Sequence, residues 1–387
     1  MKYQHLFVIF EHDDGKPLSV SYEMIGEAKR LMDKYNVRYN SNESVIAIIL
    51  GSNIRELCNE AIYYGADAVI FVDHPELRYV KNDTYARIIS NIVSNREVVS
   101  KVVECSEQYI KPRYIFFAAD SIGRHLSAST LAALDSGLAS DVNKLEIDDI
   151  VLRHTQKTGG KEEKYEKTLI MYRPDFSGFL WTQILCLDNR DEANKKDFHP
   201  QACSIIPHVF EPLERDINRK GKIIEYKASI EEIDQAIKII KREVIKSEVS
   251  LDKDIIVAFG RGIRDDPSNN IKIIEEFAKM INAEIAISLP LSKQPYNVDS
   301  NLKRYFSIAR VVGSSGKKVA PKLYIAIGIS GASQHIVGMK DAEYVIAINS
   351  DANAPIKDES DLFIHGRMED VLPVLIDELR GVKHGKV

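Results

Sequence analysis

The feature that most constrains the fold is the segment 323–339, in which a strand, a glycine turn and a helix start follow one another directly. Residues 323–327 form an apolar run typical of a parallel strand that is covered on both faces. Gly328 and Gly331 allow a tight turn and a close approach of the backbone to a ligand. We expect Ser330 to cap a helix carrying Gln334 and His335, so that its N–H groups and dipole face an anion such as a pyrophosphate. An ordinary strand-to-helix turn has the same spacing, so this segment alone leaves both interpretations open.

Two flanking motifs extend the pattern. Upstream, residues 312–321 (Val-Gly-Ser-Ser-Gly-Lys-Lys-Val-Ala-Pro) contain a second cluster of glycine and hydroxyl residues, and downstream residues 344–349 form an apolar strand that ends in Asn349. Together these motifs resemble the flavin-binding signature of the electron-transfer flavoprotein alpha subunit family. The resemblance covers nearly the whole chain, because further stretches match the family's pattern: residues 116–127, 137–141, 199–210 and 254–262, the last ending in Gly-Arg-Gly.

The resemblance implies an electron carrier that transforms no substrate itself. It would bind FAD in its C-terminal part and form a heterodimer with a beta subunit through its first half. Electrons would pass between a dehydrogenase, such as an acyl-CoA dehydrogenase of fatty acid beta-oxidation or a similar flavoenzyme, and another redox partner. Ferredoxin, if it takes part, would be a separate protein. Whether the chain takes part in flavin-based electron bifurcation stays open, because the second cofactor (AMP or another FAD) would lie mostly in the beta subunit.

The resemblance also implies a set of flavin contacts: Arg261, Val312, Gly313, Ser314, Ser315, Ser330, Gly331, Ala332, Ser333, Gln334, His335 and Asn349. Two of them would tune the redox chemistry, since His335 would face the flavin O2 and Ser315 takes the place of a threonine that faces N5. Asn349 would lie near the adenosine half. From the residues alone, His335 could equally be a structural histidine and Asn349 a turn former.

Three departures from the family pattern bear on FAD affinity and potential. The Ser-Arg pair that would place an arginine over the flavin is missing, and residues 288–295 read Ser-Leu-Pro-Leu-Ser-Lys-Gln-Pro instead. Arg367 replaces an acidic residue near the adenine, and Lys357 replaces an aromatic residue. A lysine cannot reproduce the planar stacking of a guanidinium. Nearby cations could still replace the missing charge: Lys293, Lys303 or Arg304.

Short apolar strands alternate with amphipathic helices in both halves of the chain, which predicts an α/β protein of two domains, each with a mainly parallel doubly wound sheet. The resemblance implies that the C-terminal domain is a flavin-binding domain of the DHS-like NAD/FAD type. We expect residues 1–210 to contact the beta subunit, 211–250 to form a linker with a charged helix from residue 230, and 251–387 to bind FAD. Two strands, at 167–172 and 179–187, are expected to extend the first sheet in antiparallel orientation.

Composition excludes several classes of protein. A chain of 387 residues is too long for one ordinary core. The net charge of −5 and the lack of a basic stripe argue against nucleic acid binding. The four cysteines form no Cys-x-x-Cys pair, which argues against a metal site. No apolar run reaches the roughly 20 residues of a membrane span, and we expect a cytoplasmic protein without membrane insertion.

Two other functions compete with the electron carrier. A nicotinamide-dependent or other nucleotide-binding oxidoreductase of doubly wound fold would need a Gly-x-Gly-x-x-Gly turn after an early strand, and the sequence has none. A scaffold subunit that binds flavin weakly or not at all is compatible with the three departures.

Overall fold

The computed structural model describes residues 1–175, 180–233, 237–243, 249, 251 and 253–383. These form two compact units, the first ending at Arg242 and the second beginning at Glu243. Each unit is an α/β fold on a parallel sheet, which confirms the predicted fold class. No helix among the described residues combines the length and apolar character that a membrane span requires.

The first unit contains short strands and helices in alternation. Its strands are β1 (Tyr3–Ile9), β2 (His12–Asp13), β3 (Lys16–Pro17), β4 (Val45–Gly51), β5 (Ala68–Asp73), β6 (Lys111–Ala118), β7 (Leu138–Val142), β8 (Lys144–Arg153), β9 (Glu162–Asp175), β10 (Leu180–Leu185), β11 (Gln201–Ile205) and β12 (Lys222–Glu225). Its helices are α1 (Ser19–Tyr39), α2 (Arg55–Tyr63), α3 (Asn82–Ser94), α4 (Arg96–Val99), α5 (Ser121–Ala133) and α6 (Thr155–Thr158).

Seven of these strands form a parallel sheet in the order β12-β5-β4-β1-β6-β11-β7. Residues 45–51 are buried throughout, as expected of a strand covered on both faces. Alternate residues of this strand enter separate cores, Ala47 on one face of the sheet and Ile48 on the other. The sheet is therefore covered on both faces by packed helices.

The predicted antiparallel extension of this sheet is wrong. Strands β8, β9 and β10 form a separate antiparallel sheet in the order β10-β9-β8, and Phe179 lies outside the described residues. The edge of the parallel sheet on this side is β7, which pairs with β11. The antiparallel sheet instead buries Leu145, Leu169 and Met171 in one of the first unit's cores, so packing and not strand pairing joins the two sheets.

The segment predicted as a linker contains a strand that the sequence analysis missed. Strand β12 pairs with β5 at the edge of the parallel sheet, and its Ile223 and Ile224 pack against the cores on opposite faces. Its four residues are too short to give a clear alternating pattern. Of the charged helix expected from residue 230, residues 234–236, 244–248 and 250 lie outside the described part, and described residues 237–243 are not helical.

The second unit repeats the alternation on a smaller scale. Its strands are β13 (Ile255–Phe259), β14 (Glu284–Ser288), β15 (Val311–Val312), β16 (Leu323–Ile327), β17 (Val345–Asn349) and β18 (Leu362–His365). Its helices are α7 (Pro267–Met280), α8 (Leu289–Lys293), α9 (Ser333–Ile336) and α10 (Met368–Lys383). The six strands are parallel, in the order β15-β14-β13-β16-β17-β18.

A buried acid lies where β1 ends in the first unit. Glu11 is only 6% exposed, and a Cβ on Gly123 of α5 would lie 2.5 Å from its Oε1. Asp120, which caps α5 by accepting from the Ile122 and Gly123 N–H groups, is a second carboxylate nearby. Burial and then the charge of Asp120 raise the pKa of Glu11 to about 9.

We expect Glu11→Gln to make the protein less sensitive to alkaline pH. The pKa of Glu11 in the folded protein lies above its ordinary value of 4.5. The stability that depends on the protonated carboxyl is therefore fully present below pH 4.5 and is lost as the pH rises toward 9. Between about pH 6 and pH 8 the wild type should lose about 2 to 3 kcal/mol relative to the variant. Thermal unfolding midpoints at several pH values measure this. The exposed Glu107→Gln is the control, and a midpoint difference independent of pH would contradict a buried proton on Glu11.

Candidate functional site

A cavity of about 480 Å³ lies at the carboxyl edge of the second sheet. Open α/β sheets bind their ligands at this edge. The cavity is reached by the loops after β13, β14 and β16 and by the loop that follows β15. Its lining residues are Gly260, Arg261, Ser288, Leu289, Pro290, Val312, Gly313, Ser314, Ser315, Gly328, Ile329, Ser330, Ala332, Gln334 and His335.

Glycines allow the loops after β13 and β16 to touch through their backbones. A Cβ on Gly262 would lie 2.5 Å from the Gly328 Cα, and one on Gly260 would lie 2.5 Å from the Gly328 carbonyl oxygen. The Gly262 N–H donates to that same oxygen at 3.0 Å. Gly328 also has a φ of +58°, in the left-handed region that glycine adopts without cost. Side chains at these positions would force the two loops apart.

The glycine and hydroxyl loop after β15 is fastened to the loop that carries His335. The Ser314 N–H donates to the Gln334 carbonyl at 2.7 Å. A Cβ on Gly313 would lie 2.7 Å from that carbonyl oxygen, and Gly313 has a φ of +143°. This contact places Ser314 and Ser315 on the cavity wall.

The expected helix cap is wrong. Helix α9 is a single turn whose N-cap is Ala332, with no side-chain cap bond. The left-handed turn at Gly331 separates Ser330 from the helix, and the Ser330 carbonyl instead accepts from the Ile356 N–H at 3.2 Å. A helix of one turn sums few peptide dipoles, so the predicted helix-dipole contribution to anion binding is small.

Arg261 is the one cation among the described residues that line the cavity. Its Nη2 donates to Gln294 Oε1 at 2.6 Å, and the described residues place no carboxylate within 4 Å of it. The three cations considered as replacements for the missing arginine, namely Lys293, Lys303 and Arg304, do not line the cavity. Arg304 pairs with Glu275 at 2.9 Å instead. The loop after β14 therefore brings an apolar surface of Leu289 and Pro290, and no charge, to the cavity.

His335 is buried, with 6% of its surface exposed, and its ring is held at one nitrogen. The Tyr324 hydroxyl lies 2.9 Å from Nε2, whereas Nδ1 is buried and has no hydrogen-bond partner in the described structure. Burial lowers the pKa of His335 to about 4, so the ring is neutral at pH 7. A Tyr324 hydroxyl that donates to Nε2 leaves the imidazole proton on Nδ1, and one that accepts leaves it on Nε2. In the first tautomer His335 has an N–H donor at the cavity wall, where the Val312 backbone also favours the charged ring without offsetting its burial.

An adjoining groove of about 540 Å³ lies beside the cavity and shares three residues with it, Arg261, Gly328 and Ser330. Asn349 lines the groove, but both ends of its amide are engaged. Its Nδ2 donates to the Ile329 carbonyl at 2.8 Å and its Oδ1 accepts from the Asp351 N–H at 3.0 Å. In the protein alone, Asn349 therefore fastens the loops after β16 and β17.

Charged residues of the groove are largely paired with one another. Arg367 lies 2.5 Å from Asp265 and 3.5 Å from Glu369. Lys357 does not line the groove, and its ammonium lies 5.7 Å from the centre of the Phe363 ring. In the groove the charge of Arg367 is thus compensated by nearby carboxylates, whereas Arg261, at the junction with the cavity, has no carboxylate partner among the described residues.

The structure brings together nine of the predicted flavin contacts around one cavity: Arg261, Val312, Gly313, Ser314, Ser315, Ser330, Ala332, Gln334 and His335. Asn349 lies in the groove, while Gly331 and Ser333 line neither space. A Cβ on Gly331 would lie 2.1 Å from the Ile356 nitrogen, so this glycine shapes the turn.

Some lining residues were absent from the predicted set. The cavity also includes Gly260, Ser288, Leu289, Pro290, Gly328 and Ile329. The two glycines had a signal, since each follows a buried strand directly. Leu289 and Pro290 lie in the loop where the resemblance implies the Ser-Arg pair, but their own residue types gave no signal, because apolar residues after a strand are equally typical of a core.

Comparisons with known proteins agree with this architecture. Residues 251–340 match a family model described as the electron transfer flavoprotein FAD-binding domain. Residues 6–171 match a second model, described as the electron transfer flavoprotein domain. The first match includes the cavity and stops short of part of the groove.

Full-length relatives have names that describe several redox systems. The chain is 34% identical over 383 residues to the electron transfer flavoprotein subunit alpha of Thermoanaerobacterium thermosaccharolyticum, covering 98% of this chain and 99% of that protein. It is 30% identical to the acryloyl-CoA reductase electron transfer subunit beta of Anaerotignum propionicum, over 99% of this chain and 97% of that protein. It is also 30% identical to the lactate dehydrogenase (NAD(+),ferredoxin) subunit LctC of Acetobacterium woodii, over 99% of this chain and 79% of that protein. The chain belongs to the electron transfer flavoprotein alpha subunit family.

Proposed function

We propose that this chain binds FAD in the cavity and groove of its second unit and carries electrons between a dehydrogenase and a second redox partner. The observation that supports this most is the pair of adjoining spaces with Arg261, Gly328 and Ser330 at their junction. A flavin dinucleotide has a ring system, a central pyrophosphate and an adenosine. The cavity suits the ring, the junction suits the pyrophosphate, and the groove suits the adenosine.

The described residues fit this cofactor in three respects. The glycine contacts at Gly260, Gly262 and Gly328 form a backbone cradle that side chains would fill. Arg261 offers a guanidinium without a carboxylate partner, as recognition of a pyrophosphate requires. His335 Nδ1 is a buried polar atom without a hydrogen-bond partner of normal geometry in the described structure, and buried polar atoms are normally paired.

FAD, when bound, supplies the reversible electron chemistry. The chain's residues position and tune it. Arg261 would bind the pyrophosphate, the loops that carry Ser315 and Leu289 would cover the ring, and the apolar walls would exclude water. His335 would donate from Nδ1 to a flavin carbonyl oxygen, and Tyr324 would keep the imidazole proton on Nδ1 by donating its hydroxyl to Nε2.

The remaining assignments are proposals that the family resemblance suggests. We propose that residues 251–387 bind FAD, that 211–250, whose strand β12 belongs to the first sheet, lead into them, and that 1–210 contact a beta subunit in a heterodimer in the cytoplasm. The electron donor we favour is an acyl-CoA dehydrogenase or a similar flavoenzyme, with ferredoxin as a separate protein in a bifurcating system. The names of the relatives, which include an acryloyl-CoA reductase and a ferredoxin-linked lactate dehydrogenase, support a partner of this general kind.

The function is tested by adding FAD to the purified heterodimer and recording its visible spectrum after removal of free flavin. We expect a yellow protein with one FAD bound by this chain. A heterodimer that remains colourless in excess FAD would contradict the proposal and favour the flavin-free scaffold.

We expect His335→Ala to lower the reduction potential of the bound flavin while the fold is kept. The Nδ1–H bond strengthens as the acceptor oxygen gains negative charge, and a hydrogen bond to a charged group contributes about 1.5 to 3 kcal/mol. Potentiometric titration measures the shift. Tyr324→Phe should lower the potential less, because it keeps the imidazole ring and removes only the hydroxyl that holds the proton on Nδ1. An unchanged potential in His335→Ala would show that Nδ1 does not face the flavin.

A further inference from the structure

The first unit has a cavity of its own, of about 480 Å³, in which positive charge exceeds negative charge. It lies beside the amino ends of β1, β6 and β11 and the middle of β9. Its charged side chains include four cations, Arg113, Lys164, Lys167 and Arg190, and two carboxylates, Glu166 and Asp188. The cavity is not part of the dinucleotide site described above, since all its residues belong to the first unit.

Two of the four cations have carboxylate partners. Lys164 lies 3.0 Å from both Asp149 and Glu166. Arg190 lies 3.4 Å from Glu163. The carboxylate of Asp188 is used as well, because it lies 3.2 Å from the Nδ1 of His199. Within the described ranges, Arg113 and Lys167 have no carboxylate within 4 Å.

The backbone holds Lys167 in an unusual conformation. Its φ is +57°, which is costly for a residue with a side chain. The register of β8 and β9 shifts opposite this point, between Asp148 and Ile150, and the Lys167 N–H donates to Asp149 Oδ1 at 3.0 Å. Bulges of this kind redirect a side chain and occur often beside functional sites.

The ammonium of Lys167 lies among aromatic rings and lacks an acceptor. Its Nζ is 5.3 Å from the centre of the Tyr35 ring and 5.1 Å from that of Tyr39. In the described structure it donates no hydrogen bond to protein. Burial and then the charge of Arg113 lower the pKa of Lys167, whereas the charges of Glu43, Glu166 and Asp149 act in the opposite direction. Among the described residues, none of these three carboxylates lies within 4 Å of the Lys167 ammonium.

Arg113 has an unused donor as well. Its Nη2 donates to the Tyr3 carbonyl at 2.9 Å, but its Nε is buried and has no partner among the described residues. A buried charged donor without an acceptor is unfavourable unless another molecule provides one. An anion in this cavity would supply negatively charged oxygen to Arg113 and Lys167, which both line it.

We propose that this cavity binds a small oxyanion of the phosphate class, held by the guanidinium of Arg113 and the ammonium of Lys167. Guanidinium and ammonium groups together are a frequent pair for phosphate oxygens. The nearly buried residues Thr168, His199 and Gln201 close one side of the cavity. This enclosure favours a small ion or a phosphomonoester over a flat protein surface.

The test is calorimetric titration of the full chain with inorganic phosphate at constant ionic strength, with FAD present so that Arg261 in the second unit is occupied. Wild-type protein should bind phosphate saturably, and Lys167→Met should weaken binding by at least about tenfold. Lys144→Met is a matched control, because Lys144 lies on the neighbouring strand β8, 4.7 Å from the Tyr172 ring centre, but is paired with Glu146 at 3.0 Å. Its affinity should stay within about twofold of wild type.

A second variant tests the role of Arg113, and a second ligand tests whether phosphate esters are accepted. Arg113→Lys keeps the charge but loses the forked donor, and it should weaken binding as well. Competition by glycerol phosphate would identify a phosphate ester as an accepted ligand, whereas its failure would restrict the site to the free ion; both agree with the proposal. The absence of saturable binding in wild type, or equal affinity in Lys167→Met with an unchanged unfolding midpoint, would overturn it.

Discussion

Gly262→Ala should lower the affinity for FAD by about a hundredfold or more. The new Cβ would lie 2.5 Å from the Gly328 Cα, whereas ordinary contacts begin at 3.4 Å, so the two loops must move apart. In the proposed complex, that movement would displace Arg261 from the pyrophosphate. The loss of two hydrogen bonds to a charged group, at about 1.5 to 3 kcal/mol each, corresponds to at least a hundredfold. Quenching of flavin fluorescence measures the affinity.

A matched glycine provides the control for this substitution. Gly381, in α10 of the same unit, has no heavy atom within 4 Å of the position of a Cβ, so Gly381→Ala should bind FAD as wild type does. Circular dichroism and unfolding midpoints establish that both variants fold. If Gly262→Ala folds and binds FAD with wild-type affinity, the contact between the loops does not form the flavin site.

Leu289→Arg should raise the reduction potential of the bound flavin. Leu289 lines the cavity and directly follows Ser288, at the place where the family resemblance implies a Ser-Arg pair with the arginine over the ring. A charge about 4 Å from another contributes roughly 4 kcal/mol at an effective dielectric of about 20, which for two electrons corresponds to about 90 mV. Potentiometric titration compares this variant with Leu289→Met, which keeps the apolar surface and should leave the potential nearly unchanged.

The cations near this loop should contribute little to the potential. Because Lys293, Lys303 and Arg304 do not line the cavity, replacing each with Gln should be nearly silent. The wild-type potential should also lie below that of family members with the Ser-Arg pair. A marked drop in potential on replacing any of the three would contradict this description of the cavity.

Much of the fold could be predicted because its signals are local. The buried strands carry apolar runs bounded by glycine or polar residues, and β16 has the predicted bounds, Leu323–Ile327. The antiparallel sheet was misplaced because strand pairing depends on tertiary contacts that a local pattern does not contain. Strands β12 and β18 were missed because segments of four residues give too little periodicity.

In the candidate site, too, local features could be predicted from the sequence and tertiary contacts could not. Glycines and hydroxyl residues beside strand ends could be placed from the sequence, because backbone approach requires them there. The contact between the Tyr324 hydroxyl and His335 Nε2 could not be predicted, because it joins strand β16 to helix α9 and such a tertiary contact leaves no local sequence pattern. Likewise, the sequence shows that Lys293, Lys303 and Arg304 exist, but only the structure shows that Arg304 is paired with Glu275.

The most direct measurement of the central claim is the affinity of the chain for FAD beside its affinity for FMN, which lacks the adenosine half. The cavity and the groove share Arg261, Gly328 and Ser330, so one dinucleotide should occupy both. We expect FAD to bind at least about tenfold tighter than FMN, because only FAD contacts the groove, and ADP to compete with FAD. Equal affinities for FAD and FMN, with no competition by ADP, would contradict the assignment of the groove and cavity to one dinucleotide.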